Sequence, residues 1–73
     1  LYKLNTVEEH YMTIVQQIAK FVSNTLDRTA DRYEQIWSIK AALIAHGHEI
    51  LITDRETIDA ALDILFDEYG FRG

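Results

Sequence analysis

Apolar residues recur along the first third of this chain at steps of three and four: Val7, Tyr11, Ile14, Val15, Ile18, Val22 and Leu26. That spacing follows the α-helical turn and not the two-residue alternation of a strand, so these residues share one face while Glu8, Gln16, Lys20, Ser23 and Asp27 fall elsewhere. Just ahead, Asn5-Thr6-Val7-Glu8-Glu9 holds two capping-box pairs, Thr6 with Glu9 and Asn5 with Glu8. A first helix is expected from about residue 6 to about 26.

A second helix is expected from about residue 29 to 46, because Gly47 suits the left-handed position just past a helix end. No Gly or Pro separates it from the first, and Leu26, Ala30, Tyr33 and Trp37 carry the helical step across the gap. Two arrangements stay open: one long helix over residues 6–46, which would need a partner, or a helical hairpin with Asp27 or Thr29 capping its second arm. His48-Glu49-Ile50-Leu51-Ile52 is short and β-branched, which reads as an extended connector or a very short strand. Thr53 and Glu56 then form a capping-box pair opening a third helix, about 54–69, that buries Ile58, Ala61, Leu62, Leu65 and Tyr69. It stops at Gly70, after which a turn would fold Phe71 back onto Phe66. The expected fold is all-α: a single domain over residues 1–73, a hairpin plus a third helix after a short connector.

Composition sets bounds on function. At 73 residues the core is small and the stability margin thin, so a partner or second copy is expected. There is no cysteine, which excludes disulfides and thiolate metal sites and fits a reducing, cytoplasmic setting. No apolar run approaches the roughly 20 residues needed to cross a bilayer, and Leu1-Tyr2-Lys3-Leu4-Asn5 lacks the layout of a signal peptide. Only seven Lys and Arg in a chain of net charge -5 oppose nucleic-acid binding, which draws its affinity from phosphate neutralisation.

The strongest anomaly is the charge on the third helix. Glu56, Asp59, Asp63 and Asp67 fall within about 80 degrees of one another at 100 degrees per residue, making one acidic ridge. Between Asp54 and Gly70 stand six acids and one base, a net of -5 that equals the charge of the whole chain. Like charges four apart disfavour a helix, and Asp67 and Glu68 stand at the end where the dipole prefers cations. Such a row keeps a protein soluble; it also offers a complementary surface to a basic partner.

The second helix carries the other candidates. Tyr33, Ile36, Trp37, Ile39, Leu43 and Ile44 form an apolar arc of about 160 degrees, broad enough to contact two neighbours, and Lys40 projects from its middle. Tyr33, Trp37 and Ile44 are the expected self-association residues, since aromatic residues anchor interfaces and a core this small cannot bury them all. Lys40 either runs its stem along the core with its ammonium in water, or waits in an inter-helix groove for an anionic nucleotide or metabolite.

His46 and His48 flank Gly47 but lack ligand spacing, so no metal or cofactor is expected. No Gly-rich phosphate loop exists, Ser23 and Ser38 fall on polar sides of their helices, and catalysis is not expected. The expected function is a non-catalytic protein-interaction or regulatory domain, inhibitory or assembly-forming. It would self-associate into a dimer or larger oligomer and present its acidic helix to a partner with a basic surface. An anionic-ligand sensor using Lys40 is the alternative. A DNA-associated regulator ranks third, because Lys3, Lys20, Arg28, Arg32 and Arg72 do not share one helical stripe.

Overall fold

The computed structural model describes the backbone of residues 2–73 and the side chains of residues 13–73. Three α-helices, α1 (Tyr2–Thr25), α2 (Arg32–Ala45) and α3 (Arg55–Tyr69), enclose one core, with a 3₁₀ helix at Glu49–Thr53 between the last two. Val15, Ile18, Ala19 and Val22 of α1 meet Ile39, Ala42 and Leu43 of α2 and Ile58, Ala61, Leu62 and Leu65 of α3. The three-four spacing thus points one stripe of every helix inward. Among the described residues, no helix is long and apolar enough to cross a membrane.

α1 begins at Tyr2, ahead of the expected caps at Asn5 and Thr6, whose backbone is already helical; their side chains lie outside the described residues. At its far end the long-helix alternative fails. The Asp27 carboxylate accepts from the Thr29 N–H at 2.8 Å and the Thr29 hydroxyl at 2.7 Å, and the Ala30 N–H donates to the Asp27 carbonyl. A short acidic side chain here competes with the helical ladder for backbone donors and wins. Arg28 also reaches back to the Ser23 carbonyl at 2.7 Å, satisfying an acceptor in the last turn of α1. With Asp27 and Thr29 occupied in this turn, Asp31 caps α2 instead, in a full capping box with Glu34. The two helices cross: Phe21 in the last turns of α1 sits 4.9 Å, edge to face, from His46 at the far end of α2.

The connector is 3₁₀ rather than extended. Gly47, at φ 81, ends α2 in a paired turn in which His48 N–H donates to the Leu43 carbonyl and Gly47 N–H to Ile44. That turn folds the chain back onto α2, where Leu51 and Ile52 pack against the core. No neighbouring strand pairs with it among the described residues, so i→i+3 bonds such as Leu51 N–H to the His48 carbonyl satisfy its backbone. The same bonds carry Thr53 into the 3₁₀ helix, so Asp54 and not Thr53 is the N-cap of α3, its carboxylate accepting from the Thr57 hydroxyl.

α3 stops as expected at Gly70, φ 74, but Phe71 does not fold onto Phe66. The Leu65 carbonyl accepts from both Gly70 and Phe71, which turns the Phe71 ring into the core at 2% exposure and leaves Phe66 outside at 56%. Gln35, 1% exposed, secures this tail: its Nε2 donates to the Ala30 carbonyl at 3.0 Å and to the Arg72 carbonyl at 2.9 Å. Arg28 lies over the Phe71 ring at 4.8 Å, and Arg72 donates to the Thr29 carbonyl. One side-chain amide thereby ties the α1–α2 turn, α2 and the C-terminal tail together.

Two outcomes follow. Gln35→Ala removes both bonds and lowers unfolding free energy by about 1–3 kcal/mol, read as a lower urea midpoint. Gln35→Glu is at least as damaging at neutral pH, because a buried carboxylate cannot donate to a carbonyl. Burial raises the folded-state pKa of that new acid, so the defect eases as pH falls. In the turn, the Thr29 N–H and then its hydroxyl hold the Asp27 carboxyl below its ordinary 3.8. A depressed folded-state pKa stabilises at pH above the ordinary value and is lost as pH falls through the lowered one. Asp27→Ala should therefore remove part of the acid sensitivity of unfolding, measured as urea midpoint against pH; an unchanged profile would clear Asp27 of that role.

Candidate functional site

The surface features gather on α2, α3 and the valley between them. On α2, Ile39, Ala42, Leu43 and Gln35 take the inward face, and Tyr33, Trp37, Ala41 and Ile44 fall within about 80 degrees of one another on the side turned outward. Tyr33 is 69% exposed, Trp37 58% and Ile44 52%. The broad apolar arc therefore splits: half fills the core, and half is exposed. Within the stripe, the Tyr33 and Trp37 rings meet edge to face at 6.3 Å, a favourable aromatic pairing.

Lys40 lies at the border between the two halves rather than in the middle of a buried arc. It is half-buried, and its Nζ stands 5.9 Å from the centre of the Trp37 ring, at the outer limit of a cation–π contact. The valley beside it is an open groove of about 390 Å³ lined by Arg32, Ile36 and Lys40 of α2, Ile52 and Thr53 of the 3₁₀ helix, and Arg55, Ile58, Asp59 and Leu62 of α3. Arg55 was not legible as a partner of Lys40 in the sequence, since it lies on a different helix, whereas Arg32 stands two four-residue steps before Lys40 on α2. One signal was there: both are the first residue of a helix, where the dipole favours acids.

The acidic ridge stands as a ridge. Glu56, Asp59, Asp63 and Asp67 are all exposed, on the face of α3 opposite Thr57, Ile58, Ala61, Leu62 and Leu65. Arg55 reaches Asp59 at 3.8 Å, a pair open to solvent on both sides and hence weak. The cations named for a DNA-binding face are dispersed: Arg28 and Arg72 clamp the tail, Arg32 lines the α2–α3 groove, and Lys20 lies with Glu68 in the valley between α1 and α3. Lys3 lies outside the described side chains. Ser23, expected on a polar side, is buried with its hydroxyl donating to the Lys20 carbonyl at 2.7 Å. His46 Nδ1 is paired with the Ala42 carbonyl at 2.8 Å, and among the described residues no three His, Asp or Glu are grouped to hold a metal ion.

No protein-family model, no curated protein and no solved structure matches this chain.

The ridge leaves a thermodynamic mark. Asp63 stands four residues from both Asp59 and Asp67, so Asp63→Lys turns two repulsions into two attractions and should stabilise the domain by roughly 0.5–1.5 kcal/mol. Thermal melts at low salt would show the gain, shrinking as salt is added. A neutral or destabilising result would mean that these carboxylates do not strain the helix.

Proposed function

We propose that this domain is a non-catalytic protein-interaction module that self-associates through the outward stripe of α2 and presents the ridge of α3 to a basic partner. The observation that carries this reading is the exposure of Tyr33, Trp37 and Ile44 on one helical face, turned away from the core. Aromatic side chains dominate binding hot spots because they remove much apolar area from water at little cost in rotamer entropy. A stripe with two rings already set against each other is pre-organised for that purpose. The four ridge carboxylates weaken their own helix, and complementary charge on a partner would turn that local cost into faster association and fixed register. A regulatory, inhibitory or assembly role in the cytoplasm is consistent with a small, cysteine-free chain of this kind.

The test is solution mass by light scattering over a range of concentrations. A species of twice 8.5 kDa or more is expected. The double variant Tyr33→Ser with Trp37→Ser should return it to a monomer, with dissociation strengthened by about 30-fold or more for the loss of a hot spot. Circular dichroism should be unchanged, because neither ring is in the core. A monomer for the native chain at all concentrations would remove self-association from the proposal. Reversal of Asp59, Asp63 and Asp67 to Lys should then abolish capture of a basic partner while the domain stays folded.

A further inference from the structure

We infer that the α2–α3 groove is a binding site for a small organic phosphate, with Arg32, Lys40 and Arg55 holding the anionic head and the apolar floor of Ile36, Ile58 and Leu62 taking the rest of the molecule. Three of the seven cations of the chain line this one groove against a single carboxylate, Asp59, although the chain as a whole carries -5. Helix stability does not account for them. Arg32 and Arg55 each occupy the first position of a helix, where a positive charge opposes the dipole, and Lys40 interrupts an otherwise apolar border. Internal pairing does not account for them either: among the described residues, no carboxylate lies within 4.0 Å of Arg32 or Lys40, and the Arg55–Asp59 contact is exposed.

The geometry is that of a site for a small molecule. Arg32, Ile36 and Lys40 follow one another at four-residue steps along α2, and Arg55, Ile58 and Leu62 run along the facing side of α3. Cations thus stand on both walls, with aliphatic side chains between them. A volume of about 390 Å³ lies within the range of known ligand sites, about 300–1,000 Å³, and suits a mononucleotide-sized compound. Guanidinium groups bind phosphate through two parallel hydrogen bonds, and Thr53, at the end of the 3₁₀ helix, adds a hydroxyl-bearing residue to the lining. Trp37, the single tryptophan of the chain, sits beside Lys40 at the rim. This inference does not depend on self-association, since the stripe and the groove lie on different sides of Lys40.

The experiment is titration of the native chain with adenosine monophosphate and, separately, with inorganic phosphate, followed by nitrogen–proton correlation spectra. Saturable shifts at residues 32–40 and 52–62 are expected with adenosine monophosphate, and weaker binding with inorganic phosphate, which has nothing to lay on the apolar floor. Lys40→Ala and Arg32→Ala should each weaken binding of adenosine monophosphate about tenfold, the loss of one charge-assisted contact, whereas Lys40→Arg should retain it. All three variants should keep the native spectrum elsewhere, as none of these side chains is in the core. The inference is overturned by the absence of saturable shifts, by equal affinity in Lys40→Ala, or by inorganic phosphate binding as tightly as adenosine monophosphate. Light scattering on the same samples reports self-association separately, so failure of one reading leaves the other standing.

Discussion

The Gln35 amide is the constraint on which the arrangement of this domain turns. Three helices of this size can pack in several ways, and a purely apolar core chooses among them only by shape. A buried amide chooses by direction, because its two N–H groups must find acceptors or cost free energy. Here the acceptors are the Ala30 carbonyl just before α2 and the Arg72 carbonyl in the tail. Meeting both at once fixes where the α1–α2 turn ends and brings the Phe71 ring beneath Arg28. The core is then closed at one end by a residue outside any helix.

Much of the helical plan could be read from the residues, and the places where reading failed have one physical theme. The inward stripes followed from three-four spacing, and Gly47 and Gly70 marked helix ends because each adopts a positive φ that other residues resist. Missed were the positions where a short polar side chain chooses among several backbone donors. Asp27 and Thr29 were the caps the spacing offered, but the bonds from Thr29 to Asp27 engage both in the turn, and Asp31 begins α2 instead. Thr53 with Glu56 was likewise a good box by spacing, yet the 3₁₀ bonds preceding it shifted the start to Asp54. The connector could not be recognised as 3₁₀ from β-branched composition, because that composition reports an intrinsic preference and the turn at Gly47 imposes a tertiary one.

Of the candidate site, the ridge on α3 and the stripe on α2 were legible because each lies on one helix and obeys one period. The groove was legible only at Lys40, because the residues of its other wall, Arg55 among them, join it only when α2 and α3 pack. Charge is thereby sorted across the width of one helix: carboxylates along the outer face of α3, cations in the valley at its side. The net charge of -5 conceals that separation.

The tail clamp has a consequence for motion. Most contacts within the helices join residues close in sequence and form early, whereas the bond from Gln35 to Arg72 spans 37 positions and must wait for the helices to assemble. Phe71 lies outside every helix, so its release is a local opening that leaves the three helical ladders intact. A ring that leaves through this opening exposes, without melting a helix, the end of the core that it closes. Slow amide exchange in the three helices would coexist with faster exchange at Phe71, and the temporary vacancy would lie at the end of the core nearest the α1–α2 turn.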